Sequence, residues 1–125
     1  MNKHLIFLIV LFLLLIIQKD TEKDNKNLDE EIKTLVRQAA RWSSAAKQDE
    51  NPMIAVLHSN YGAGFLWALK DIATQDQIEQ ATGIELLKFE KEITDAQDGA
   101  IKKMIAVCPD FQPDKSFLSA LAGER

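Results

Sequence analysis

The sequence predicts an all-α protein, with an N-terminal hydrophobic anchor helix followed by a small three-helix domain with short accessory helices. Three observations predict this class: one unbroken apolar run near the N-terminus, apolar residues at steps of three and four in three later segments, and capping residues where those segments begin. No window alternates as a strand does. We expect an anchor over residues 1–18, a polar spacer over 19–27 and a helical domain over 28–125.

The apolar run covers residues 5–17, LIFLIVLFLLLII, and contains 13 residues. As a helix it is about 20 Å long, shorter than the ~30 Å hydrocarbon core, which suits a signal peptide. The residues at the end of the run, IQKD (17–20), lack the small side chains of a cleavage site, and lysines on both sides can snorkel. The sequence therefore predicts a single-pass signal anchor that binds the membrane through residues 5–17, with the domain on the exported side. The alternative is a secreted helical protein whose leader is cleaved.

Residues 19–27, KDTEKDNKN, have no apolar side chain and are predicted to form a solvated spacer. Asn27 then resembles a helix N-cap, with Glu30 three residues on, and predicts that helix one begins there and ends near Lys47. Its apolar residues recur at steps of four and three, as expected for one buried stripe: Leu28, Ile32, Leu35, Ala39, Trp42 and Ala46.

Helix two is predicted from Pro52 to Ile72, with Asn51 as N-cap and proline at the first helical position. The short connection QDENP favours an antiparallel arrangement with helix one. A break at residues 59–64, SNYGAG, is the alternative, and it would turn His58 towards solvent. In a continuous helix the principal apolar face is predicted to contain Ile54, Leu57, Tyr61, Gly64, Phe65, Ala68 and Ile72.

Two capping boxes follow, Thr74 with Gln77 and Thr82 with Glu85, and predict a brief helix and then a long one. Pro109 is predicted to stop the long helix. That helix has the clearest apolar stripe: Leu86, Phe89, Ile93, Ala96, Ala100, Met104 and Val107. A last short helix is predicted from Asp114, with Phe117, Leu118 and Leu121 on it.

Several function classes lack the residues they need. The net charge is −4 without a basic cluster, so no nucleic-acid partner is expected. Gly62-Ala63-Gly64 lacks a third glycine and a preceding strand, so no dinucleotide cofactor is expected. Outside the leader, His58 and Cys108 are the available nitrogen and sulfur donors, too few for a metal site. We therefore predict no cofactor, no metal, no catalytic residues and no enzymatic activity.

Residues 58–71, HSNYGAGFLWALKD, are the most distinctive segment. Two glycines inside a helix each cost about 1 kcal/mol relative to alanine, so close packing or an external contact must offset them. The packing interpretation makes this segment the buried spine of the domain. The binding interpretation gives it a partner, and its candidate residues are His58, Asn60, Tyr61, Gly62, Gly64, Trp67 and Asp71.

The expected function is a non-catalytic, membrane-tethered helical module for interaction or assembly, with a protein partner or as a homo-oligomer. Asn60, Trp67 and Asp71 project to one flank of the helix and form the expected contact surface. The alternative is a small ligand-binding or enzymatic domain centred on His58, Tyr61 and Asp71.

Overall fold

The computed structural model describes residues 2–111 and contains four α-helices within that range. These are α1 (Lys3–Gln48), α2 (Pro52–Ile72), α3 (Gln75–Thr82) and α4 (Leu86–Val107). No strand occurs among the described residues. The all-α class is confirmed, as is the long apolar N-terminal helix followed by shorter ones.

α1 is a single helix of 46 residues. It runs without interruption from the apolar N-terminal run, residues 5–17, which we call the leader, into the helical domain. The predicted helix start at Asn27 is therefore wrong, and residues 19–27 are helical rather than an irregular spacer. Their side chains are exposed, as a solvated segment requires. The physical reason is that α1 contains no glycine or proline. Extending an existing helix through Lys, Glu and Asp costs less than ending it and nucleating another.

α2 begins and ends where the sequence predicted. The Asn51 side chain accepts hydrogen bonds from the backbone N–H groups of Met53 and Ile54, and Pro52 occupies the first helical position. The helix runs unbroken through Gly62 and Gly64, so the alternative of a loop at residues 59–64 is wrong.

α3 opens with the predicted capping box of Thr74 and Gln77 and ends at Gly83, whose φ of 73° lies in the left-handed region that favours glycine. The second predicted box is wrong. Thr82 is the last residue of α3 and its hydroxyl donates to the Ile78 carbonyl, while Glu85 caps α4 without a side-chain hydrogen bond. The glycine turn leaves Thr82 inside the preceding helix.

α4 ends at Val107, two residues before Pro109, as predicted. The last predicted helix, with Asp114, Phe117, Leu118 and Leu121, lies outside the described residues.

The C-terminal half of α1 packs with α2 and α4 as a three-helix bundle, and α3 closes one end. Gly62 faces Ala39 and Ser43, whereas the earlier residue His58 contacts the later residue Asp49, so α1 and α2 are antiparallel. All four helices contribute side chains to one core, which contains Ile32, Ala39, Ala63, Leu66, Leu69, Ile78, Leu86 and Ile93.

The buried face of α2 differs from the predicted one. Small residues dominate it, and it consists of Ala55, Ser59, Gly62, Ala63, Leu66 and Leu69. Most of the predicted face points outwards, with Ile54, Leu57 and Tyr61 exposed by 37%, 43% and 45%, whereas Phe65 packs against the core. α2 is apolar around most of its girth, so apolar content alone did not identify its buried side. Small side chains on α1 and α2 let the two backbones approach closely, and this contact determined which face of α2 is buried.

Candidate interaction surface

The α1–α2 turn brings together an aspartate, a histidine and two aromatic rings. His58 Nδ1 lies 2.7 Å from the Oδ2 atom of Asp49, the residue that caps the end of α1. Because the Asp49 carboxylate accepts this hydrogen bond, Nδ1 carries the hydrogen. The Trp42 ring lies 4.9 Å from the imidazole and 5.3 Å from the Tyr61 ring, centroid to centroid, with Tyr61 edge-on. His58 is thus held in place by a charge on one side and an aromatic ring on the other.

Neither Asp49 nor Trp42 was among the residues predicted to lie at the site. The short connection between α1 and α2 could have identified both residues. Because three residues join two antiparallel helices, the last two turns of α1 must lie beside the first turns of α2. This pairing places residues 42 and 49 next to residue 58.

The His58–Asp49 pair does not extend into a hydrolytic triad. The hydroxyl of neighbouring Ser59 is buried and donates to the Val56 carbonyl. Asp71 lies 13 positions further along α2, which is about 20 Å on a helix, so the structure does not bring it to His58. Among residues 2–111, no group of three or more His, Cys, Asp or Glu side chains is placed to hold a metal ion.

The two glycines of α2 have different surroundings. A Cβ atom on Gly62 would overlap the Ser43 hydroxyl and lie 3.0 Å from the Ser43 nitrogen and 3.1 Å from the Ala39 carbonyl oxygen. Close packing of α1 therefore accounts for Gly62. A Cβ atom on Gly64 would meet nothing within 4 Å. Packing among the described residues therefore does not account for Gly64.

The flank of Asn60, Trp67 and Asp71 lies along the edge between α2 and α4. The Asn60 side-chain oxygen accepts a hydrogen bond of 3.0 Å from Gln97 on α4. The Lys70 ammonium lies 4.9 Å from the centre of the Trp67 ring and also pairs with Glu90 on α4. Asn60 therefore contacts α4 directly, and Trp67 lies beside a lysine that pairs with α4.

The exposed α2 residues that follow one line along the helix form what we call the outer stripe. They run over the full length of α2 at steps of three, four, three, four and four. The outer stripe contains Ile54, Leu57, Tyr61, Gly64, Ala68 and Ile72, all exposed.

Two neighbours extend this apolar surface onto α1. Tyr61 contacts Trp42, and at the opposite end Ile72 shares a shallow groove with Leu35. Glu30, Glu31 and Thr34 form the rim of that groove. Charged side chains therefore border the surface rather than interrupt it.

On the solvent side of α4, the hydrogen bond and charge of Asp95 raise the pKa of Lys91.

The leader forms a second exposed apolar surface. Every side chain of residues 5–17 is exposed, from 41% at Ile16 to 66% at Phe7. α1 contains an 18-residue window with a mean hydropathy of 2.0, which is long and apolar enough to cross a membrane. None of that window is buried in the structure. The leader is therefore not a core helix of the bundle.

No family model, curated protein or solved structure matches this chain. The functional interpretation below rests on the two exposed apolar surfaces and on the polar groups around them.

Proposed function

We propose that this protein is a non-catalytic, membrane-tethered helical module, anchored through residues 5–17 and presenting the bundle for interaction or assembly with protein. The observation that carries the proposal is the leader itself. Thirteen consecutive apolar residues are exposed and packed on no part of the described chain, an arrangement that water disfavours. Burying them in a bilayer removes this apolar surface from water and leaves the bundle outside.

The continuity of α1 makes the tether a rigid stalk. Residues 18–27 add about 15 Å of helix between the apolar run and the first core residues, at 1.5 Å per residue. The bundle is therefore held at a fixed height above the membrane surface.

In this proposal the bundle lies on the exported side, as is usual for a signal anchor. Lys3 and the amino group precede the leader, while Lys19, Lys23 and Lys26 follow it, so the basic groups at the two ends nearly balance. Protease added outside intact cells is expected to remove the bundle. Protection from that protease would reverse the assigned sidedness. An intact mass lacking the leader would instead support the secreted alternative.

Flotation with phosphatidylcholine vesicles tests the tether. Leu11→Arg adds a charge at the centre of the leader, which costs about 2.5–3.5 kcal/mol and reduces partitioning by about 100-fold. The matched control is Leu57→Arg, because Leu57 is 43% exposed and Leu11 44%. The control is expected to float like the original chain. Equal flotation of both variants would exclude the leader as the membrane contact.

A further inference from the structure

The outer stripe has the spacing of a helix-packing seam. Its first five residues, from Ile54 to Ala68, alternate steps of three and four, the repeat that keeps apolar residues facing a partner helix in a left-handed coiled coil. Asp71, three residues after Ala68, ends the apolar repeat at the border of the stripe, and Ile72 beside it continues the apolar surface. A helix lying lengthwise along α2 therefore matches this stripe better than a compact ligand does.

Gly64 lies in the seam, where nothing in the bundle requires a glycine. With Ala68 one turn later, it leaves a low region that lets a second helix come close. Tyr61, one turn earlier, supplies a large exposed ring. In a parallel, in-register pair of α2 helices, each tyrosine ring can enter the hole beside the other helix's glycine. Large and small residues of one seam are thus complementary to those of an identical seam.

The stalk favours a second copy over an unrelated helix. Because α1 is continuous from the leader into the bundle, every anchored copy holds α2 at the same height and in the same direction. Two copies in one membrane therefore present their outer stripes in parallel and in register. Rotation about the membrane normal is then the motion that brings like residues to face each other.

The area is adequate for a dimer formed in a membrane. The exposed parts of the outer stripe, with Met53 and Trp42 beside it, amount to roughly 500–600 Å² per copy, so the pair can bury at most about 1,000–1,200 Å², near the lower limit for specific interfaces. Confinement to one surface raises the effective concentration and strengthens such pairing.

We infer that the outer stripe of α2 binds the outer stripe of a second copy in the same membrane, as a parallel, two-fold symmetric helix pair. This inference rests on the proposed membrane tether. Leu57 packs near Leu57 of the second copy, and the two Tyr61 rings lie over the Gly64 backbones.

Disulfide trapping in phosphatidylcholine vesicles tests the inference on the full chain. The background variant is Cys108→Ala, which removes the chain's one cysteine. Leu57→Cys is expected to form a disulfide-linked dimer under copper phenanthroline, since facing seam positions approach within disulfide range. Arg41→Cys is the control for random collision, because residue 41 is exposed on α1 away from its packed stripe. The rate at residue 57 is expected to be at least roughly tenfold that of the control.

A second substitution shows whether the seam causes the trapping. Adding Ala68→Glu to the Leu57→Cys chain is expected to reduce trapping to the control rate, because two like charges would face each other across the seam. The matched control is Leu87→Glu, at an exposed position of α4, which is expected to leave trapping unchanged. Unchanged far-ultraviolet circular dichroism checks that both variants remain folded.

Three results would overturn the inference: equal trapping at residues 57 and 41, trapping that survives Ala68→Glu, and antiparallel trapping. The last appears as a Leu57→Cys chain that links to an Ala68→Cys chain but not to itself. Flotation of the same samples separates the two proposals. Chains that float without trapping contradict the dimer alone, whereas chains that do not float contradict the tether.

Discussion

Replacing Gly62 with alanine places a methyl group where α1 leaves no room, while the same change at Gly64 places it in open space. Both substitutions gain about 1 kcal/mol of helix propensity. At Gly62 the new Cβ atom would lie 3.0 Å and 3.1 Å from backbone atoms of Ser43 and Ala39, which cannot rotate away. Overpacking of this kind costs up to about 3 kcal/mol. We therefore expect Gly62→Ala to destabilise the bundle by about 2 kcal/mol and Gly64→Ala to stabilise it by about 1 kcal/mol.

Urea unfolding of the full chain in dodecyl maltoside measures this difference. The chain's two tryptophans, Trp42 and Trp67, both lie in the bundle, so their emission reports its unfolding and not that of the leader. A large excess of micelles keeps the chains separate. Adding Ser43→Ala to Gly62→Ala removes the overlapping hydroxyl but leaves the backbone contacts, so partial recovery is expected. If both glycine variants were stabilised equally, the close α1–α2 contact would be wrong.

Three further stability predictions use the same unfolding assay. Ser43→Ala alone is expected to stabilise the bundle by about 1 kcal/mol, because the Ser43 hydroxyl is buried without a hydrogen-bond partner among the described residues; a loss of similar size would contradict this. Leu69→Ala is expected to cost about 2–5 kcal/mol and Leu57→Ala less than about 1 kcal/mol, because Leu69 is fully buried and Leu57 is exposed; equal losses would contradict the assigned face of α2. A double-mutant cycle of Asp49→Ala and His58→Ala is expected to give a coupling energy of about 1 kcal/mol, and a value near zero would show that the pair does not interact.

The sequence allowed most helix positions to be predicted because their end signals are local. Asn51 with Pro52, Thr74 with Gln77, and Pro109 each act through the backbone of their own segment, and all three mark helix ends in the structure. Asn27 failed for an informative reason. A residue that can cap a helix also continues one when helix already exists on both sides.

Which face of α2 is buried could not be predicted from local signals of this kind. When most of a helix is apolar, the buried side is decided by the neighbour it meets, and small residues allowed α1 to bury the glycine side. The candidate site was divided for the same reason: Gly62 packs on α1, His58 pairs with Asp49 at the turn, and Asn60 bonds to Gln97 on α4. Tyr61 and Gly64 remain on the exposed surface. Their predicted partner-binding role stays a prediction.

Thiol accessibility along α1 tests the membrane tether most directly. Single cysteines replace Leu11, Glu22 and Arg37 in the Cys108→Ala full chain, which is then placed in phosphatidylcholine vesicles. A membrane-impermeant maleimide is expected to label residues 22 and 37 on outward-facing chains and to leave residue 11 unlabelled until detergent is added. Labelling of residue 11 in intact vesicles as fast as residue 22 would contradict the tether.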